Sequence, residues 1–362
     1  MIAAPTLFAD LTLAEGAIPD RVATFPQLRY MGSKARLLPW IHQVLQELDF
    51  ETAIDAFSGS GCVAYLLKAM GKSVVANDFL NFPRQIALAT VENREHRLTD
   101  ADCRLLCREG GNRQTFVEDT FKGIFFSAAD RRFLDVVWSN IHCLKTTYHR
   151  ALAISSLVRA CIKKQPRGVF TVGSETSRYD DGRRDLRLSL QEQFRECVEA
   201  YNKTVFDSGV ACRAVRSDVM SAELPHADLV YLDPPYVPRA DDNCYIKRYH
   251  FLEGLASYWR ESDTVIDKST KVRKIAKRFT PFSYRRTAVQ AFDDLFRRFC
   301  QSIIVLSYSS NGYPDLEELC GLLRRYKKNI RVLERPHRYH FGTHKSVDPN
   351  RAVVKEYLIL GT

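Results

Sequence analysis

The sequence predicts an α/β protein: an open, doubly wound sheet split by a mainly helical insertion. Three observations predict it. First, residues 51–57 form a short apolar run that meets Ser58-Gly59-Ser60-Gly61, then a helical stretch, then a second apolar run at 73–76. Second, strand signals return only at 210–215, 229–232, 302–307, 330–333 and 356–360. Third, residues 79–205 carry helical apolar spacing and polar, Arg-rich stretches without a strand series.

Taken in order, residues 1–25 are mildly apolar and unpatterned, an N-terminal extension. Residues 36–48 have helical apolar spacing. The first strand, the glycine turn and a helix from Cys62 to Met70 follow, with Gly71 as that helix's C-terminal cap. The second strand ends in Asn77-Asp78. Inside the insertion, residues 133–138 and 151–162 read as helices, and 163–168 and 178–187 as loops or turns. The expected division is an extension (1–25), a core domain (26–94 and 206–362) and an insertion (95–205).

Composition narrows the class of protein. A hydrophobic fraction of 45% over 362 residues supports a real core and excludes global disorder. A net charge of +10 favours a polyanionic partner such as nucleic acid, although it also keeps a protein soluble. The ten cysteines form no CxxC pair, and Cys103 and Cys107 lack the neighbours that would complete a zinc site. They read as reduced thiols of a cytoplasmic protein, with no metal. The histidines form no metal-spaced cluster. No stretch has the length of a membrane span, and the N-terminus lacks a signal-peptide pattern.

The most informative residues are Asp233-Pro234-Pro235-Tyr236, directly after the buried run 228–232. A carboxylate at a strand end accepts a hydrogen from an amino group. The proline carbonyls accept a second, the rigid dipeptide fixes their direction, and the tyrosine stacks on a planar ring. These are the parts needed to hold an exocyclic amine on a nucleobase. The competing reading is a Pro-rich turn with Asp as its first residue.

Phe57-Ser58-Gly59-Ser60-Gly61 puts two glycines in a strand-to-helix turn, where a cofactor approaches backbone and helix N-terminal amides. Asp78 ends the next strand, at the distance where an acid binds ribose hydroxyls. A tight turn in some other α/β protein is the alternative. No Gly-Lys-Ser/Thr follows the glycines, and the third glycine of a dinucleotide site is missing. S-adenosylmethionine fits better: it has a ribose and a carboxylate but no phosphates. Upstream, Tyr30, Gly32 and Lys34 combine an aromatic, a permissive turn and a cation before a helix. Lys34 either pairs with the methionine carboxylate or is a solvated loop lysine.

These residues resemble the Dam-like, alpha-class N6-adenine DNA methyltransferases. Tyr30 to Lys34 resembles that family's aromatic-x-Gly-Gly/Ser-Lys motif, and Asp55 to Gly61 its Asp-x-Phe-x-Gly-x-Gly motif. Asp78 matches its acid after the second strand, and Asp233-Pro234-Pro235-Tyr236 its catalytic tetrapeptide. Residues 307–312 resemble the segment at the end of the strand after the catalytic one. The likeness covers roughly residues 26–94 and 206–362. It implies a Rossmann-like S-adenosylmethionine-dependent methyltransferase sheet, with residues 95–205 as an inserted target-recognition domain. By the same comparison Asp218 contacts the cofactor adenine, or else caps the turn that follows it.

The resemblance implies that adenine in double-stranded DNA is flipped out of the duplex, stacked on Tyr236, and held by Asp233 and the Pro234 carbonyl. Direct in-line methyl transfer follows, without a covalent intermediate or a metal. The expected role is a site-specific restriction-modification methylase in a prokaryotic cytoplasm or phage, with a possible cognate restriction endonuclease as partner. Other readings are an RNA adenine or DNA cytosine-N4 methyltransferase, or a non-catalytic DNA-binding protein on the same scaffold.

For DNA contacts, residues 268–286 hold eight basic side chains and no acid. Lys271, Arg273, Lys274, Lys277 and Arg278 are interleaved with Phe279, Phe282 and Tyr284. Phosphate neutralisation and a solvated basic helix compete as explanations. In the insertion, Lys163, Lys164, Arg167, Arg183 and Arg184 suit guanine or phosphate contacts, with Asp180, Asp181 and Asp185 as rival ion-pair partners. Residues 335–340 are expected in the hairpin between the last two strands. Asn243, Tyr245 and Lys247 are placed to close over the flipped base, and residues 249–259 read as a packed helix.

Overall fold

Each apolar run expected as a strand becomes one in the computed structural model, which describes residues 18–110, 113–166, 168–174, 182–238, 244–338 and 353–362. They are β1 (Thr52–Asp55), β2 (Ser73–Asp78), β3 (Arg213–Arg216), β4 (Leu229–Leu232), β6 (Ile303–Ser309), β8 (Ile330–Arg338) and β9 (Val353–Gly361). They form one sheet in the order β3-β2-β1-β4-β6-β9-β8. From β3 to β6 the pairing is parallel, and only β9 runs against its neighbours. The central β1 and β4 are buried along almost their whole length, which is why both are apolar without alternation. Two further strands, β5 (Val237–Pro238) and β7 (Gly312–Tyr313), pair as a separate antiparallel ribbon with Val237 opposite Tyr313. The sequence did not signal them.

Both faces of the sheet are covered. Helices Arg285–Arg298 and Leu316–Leu323 pack on one face. The first presents Ala288, Ala291, Phe292, Leu295 and Phe296 as a single apolar stripe. Helices Leu38–Gln46, Cys62–Ala69 and Asn81–Ala87 cover the other. At the N-terminal edge, Asp228 Oδ2 accepts hydrogen bonds from the amides of Glu51 and Thr52 and from the Thr52 hydroxyl, which fixes β4 against β1.

The stretch 95–205 is mainly helical, including Ala128–Asn140, Thr147–Lys164 and Leu190–Asn202. Ser127, Thr146 and Ser189 cap their N-termini. These helices bury their apolar faces in the same core as the helices over β1 and β2, and Thr147–Lys164 packs on Asn81–Ala87.

Three local details go beyond or differ from the sequence reading. Val22 and Phe25, at the end of the supposed extension, are core residues, with Phe25 packed 4.6 Å from the ring of Tyr65. Arg335, Pro336 and His337 are part of β8 rather than of the hairpin turn; residues 339 and 340 lie outside the described ones. The basic segment 268–286 is not a helix until Arg285: an isolated bridge joins Ile266 to Ile275, and Pro281–Ser283 is one 3-10 turn. Among the described residues all ten cysteines are unpaired, no helix is long and apolar enough to cross a membrane, and no group of side chains is arranged to hold a metal.

Candidate active site

The connections from β1 and β4, which are neighbours, leave toward opposite edges of the sheet, and a crevice opens at their C-terminal ends. Four acids stand along that edge, each just inside or after its strand: Asp55 (β1), Asp78 (β2), Asp218 (β3) and Asp233 (β4). All four line one pocket together with Tyr30, Gly32, Lys34, Phe57 and Gly59. Its empty space, mouth included, is about 1090 Å³.

The glycine turn is shaped for close approach. Gly59 has φ +50°, and a Cβ there would lie 2.9 Å from the ring of Tyr30. Gly61 has φ +79° and starts the helix Cys62–Ala69. Asp78 organises the turn: Oδ2 accepts the Gly59 amide at 2.8 Å and Oδ1 the Leu80 amide at 2.8 Å. Burial pushes its carboxyl up to about 6 against the pull of those amides.

Asp55 is 1% exposed, and neither carboxylate oxygen has a hydrogen-bond partner of ordinary geometry, although the Phe57 and Ala64 amides face it. Burial, with the charges of Asp233 and Asp78 adding to it, raises this group to about 8. A buried, underused carboxylate on a pocket wall is suited to an ammonium ligand.

Lys34 is 4% exposed, and its Nζ lies 2.9 Å from Asp233 Oδ1 and 3.1 Å from the Gly32 carbonyl. Asp233 keeps 19% of its side chain open. Burial raises its carboxyl and Lys34 opposes the rise. Pro234 is buried and Pro235 lines the pocket. Tyr236 lies tilted against Tyr308 at 5.2 Å. The β5–β7 ribbon begins one residue later, so the exit of the Asp233–Tyr236 loop is hydrogen-bonded to the chain beyond β6. Gly312 is required there, since a Cβ would sit 2.7 Å from the Tyr308 hydroxyl.

The helix Tyr245–Ser257 holds the Tyr30–Lys34 loop. Tyr249 stacks on Tyr30 at 5.0 Å and its hydroxyl accepts the Met31 amide at 2.7 Å; the Tyr245 hydroxyl donates to the Met31 carbonyl at 3.2 Å. Tyr245 therefore lines the pocket and braces that loop, while Asn243 lies outside the described residues. Asp218 is exposed and accepts the Met220 amide at 3.0 Å, as a turn cap does.

Several cations singled out by charge are engaged within the chain. Lys163 pairs with Asp185 and Glu196, and Arg184 with Glu196. Lys164 pairs with Asp130 and donates to the Leu186 and Leu188 carbonyls. Arg183 donates to the Pro166 carbonyl, and Arg167 lies outside the described residues. Lys271 and Lys277 are exposed; Lys274 is half-buried, and Arg273 donates to the Lys268 carbonyl. Arg278 turns inward and lines the pocket, where Glu253 and Asp263 meet it. Sequence reasoning missed Glu253 and Tyr249, which act through partners far away in the chain, and it read Phe282 beside the DNA contacts rather than in the pocket wall, where it meets Phe57.

A parallel sheet with one reversed strand, a glycine turn and an acid-proline loop at its switch point define a Rossmann-like methyltransferase. The pattern of the D12 class N6 adenine-specific DNA methyltransferases matches residues 30–309, and the chain belongs to that family. It is an enzyme that methylates adenine N6 in DNA. It is 31% identical over 334 residues to the type II methyltransferase M2.HphI of Haemophilus parahaemolyticus, covering 87% of this chain and 92% of that one. It is also similar to the modification methylase StsI of Streptococcus sanguinis (24% identical, 90% of this chain, 50% of that one). The same holds for the type II methyltransferase M.FokI of Planomicrobium okeanokoites (23%, 88% and 50%).

Proposed function

We propose that the chain transfers methyl from S-adenosylmethionine to an adenine flipped out of duplex DNA, at one short target sequence. The observation that carries this is Asp233 facing Lys34 in the pocket that also holds Asp55 and Asp78. Asp55 would meet the cofactor's ammonium and Asp78 its ribose, with Asp218 beside the purine. The bound sulfonium supplies the electrophilic methyl. The remaining work belongs to the chain: Asp233 and the Pro234 carbonyl accept hydrogens from the adenine amine and orient its lone pair, and Tyr236 stacks on the ring. Residues 95–205 are the proposed target-recognition region, and Lys271 and Lys277 the proposed phosphate contacts. The names of its relatives, a type II methyltransferase and a modification methylase, support a role in restriction-modification; a cytoplasmic location and a cognate endonuclease belong to the same proposal.

The test is incubation of the purified protein with S-adenosylmethionine and duplex DNA, then mapping of modified bases. N6-methyladenine in a single sequence context is expected; an unmodified duplex, or adenines methylated without regard to context, would overturn the reading.

Two binding results follow. Asp78→Ala should weaken S-adenosylhomocysteine binding by roughly 1.5–3 kcal/mol in calorimetry; an unchanged affinity would mean the ribose is held elsewhere. With its carboxyl at about 8, Asp55 is mostly protonated in the empty pocket at pH 7. An arriving ammonium favours the ionised form, so binding should release a proton. The measured enthalpy should therefore change with the ionisation enthalpy of the buffer in wild type and not in Asp55→Asn.

A further inference from the structure

The segment 268–286 has two faces with different work. Its outer face carries exposed Lys271, Lys277, Arg285 and Arg286. Its inner face, Arg278 and Thr280 to Phe282, lines the pocket together with Asp78, Phe79 and Asp218, while Phe279 at the rim is 59% exposed and stacks on Tyr284. Phe282 is 2% exposed and meets Phe57 edge-on at 5.5 Å.

One buried carboxylate fastens this segment down. Glu253 is fully buried on the helix that follows the catalytic loop. It accepts the Asn81 amide at 2.8 Å and the Phe82 amide at 3.2 Å, at the start of the helix after β2. It also binds Arg216, at the end of β3, at 3.2 Å, and Arg278 at 2.6 Å. Arg278 in turn donates to the Phe79 carbonyl at 3.3 Å, pairs with Asp263 at 3.1 Å, and lies 5.0 Å over the Phe79 ring. Glu253 thus joins the three chain segments that wall the Asp78 end of the pocket.

We propose that residues 278–282 roof the adenosine end of the cofactor site, and that Glu253 and Arg278 are positioning residues for cofactor affinity. This rests on the S-adenosylmethionine reading. The argument is directional. The transferred methyl must face Asp233, and the ammonium Asp55. The nucleoside then has to extend away from both, toward Asp78, Phe79 and Asp218. At that end the purine would meet Leu80, Val219, Pro281 and Phe282, the apolar part of the lining.

The test is equilibrium binding of S-adenosylhomocysteine and of adenosine to the full chain, with DNA affinity measured against salt in parallel. Arg278→Met should weaken both ligands roughly 10- to 100-fold. It should raise the cofactor KM while leaving kcat at saturation within a few-fold, and leave the salt slope of DNA binding unchanged. Lys271→Ala should do the reverse, lowering the salt slope and sparing ligand affinity. Because Arg278→Met loosens a buried network, Thr280→Trp provides a second reading: it fills the roof's inner face without touching Glu253, and should also lose ligand affinity. Full ligand affinity in Thr280→Trp, or a reduced salt slope with unchanged affinity in Arg278→Met, would overturn the roof. Wild type that binds neither ligand would overturn the cofactor reading itself and the roof with it.

Discussion

Asp233→Ala is expected to lower the single-turnover rate of methyl transfer by at least about 10²–10³-fold while leaving DNA binding within a few-fold of wild type. The carboxylate ends β4, is pre-oriented by Lys34 at 2.9 Å, and opens on the pocket. An amine nitrogen is a poor nucleophile while its lone pair is conjugated with the purine. On the proposed mechanism two acceptors in fixed positions, Asp233 and the Pro234 carbonyl, draw that lone pair out of the ring, and Asp233→Ala removes the first of them. Asp233→Asn is the sharper variant, since it keeps the shape and turns one acceptor into a donor. Rapid-quench transfer with labelled cofactor, set beside a gel-shift affinity, measures both halves. Near-normal transfer by Asp233→Ala would remove Asp233 from the chemistry, and near-normal transfer by Asp233→Asn would show that one neutral acceptor suffices there.

The second large effect concerns Lys34. Lys34→Met should reduce kcat by about one to two orders of magnitude near pH 7, with a larger effect at lower pH. On the proposed mechanism Asp233 acts as the carboxylate, so activity should fall as pH drops through its folded pKa. Burial already raises that pKa above the ordinary value, and Lys34 is what pulls it back. Without the ammonium the pKa rises further, and the acid limb of the kcat profile moves to higher pH. Partial recovery in alkaline buffer is therefore expected for Lys34→Met and not for Asp233→Ala. An unmoved acid limb would mean that Lys34 serves another group.

Much of this arrangement was legible in the sequence because it rests on local patterns. The seven sheet strands, the glycine turn and the proline-rich tetrapeptide are all read within a few residues of themselves. Charge was less legible. A count of basic residues picked out Lys163 and Arg184 but could not show that both pair with Glu196. Arg278 sat in a run without acids, yet its partners Glu253 and Asp263 come from preceding elements. The Lys34–Asp233 pair joins positions nearly two hundred residues apart. Apolar periodicity tells which face of an element turns inward; it carries no information on which distant charge awaits there. The short β5 and β7 escaped for a related reason: two residues are too few to show alternation.

That small ribbon changes how base extrusion should be pictured. With Val237 paired to Tyr313 immediately after the catalytic tetrapeptide, the receptor is a stencil rather than a clasp. On the proposed mechanism, the ordering entropy of that exit is spent when the protein folds, and the rim beside Tyr236 would already be in place when the nucleotide arrives.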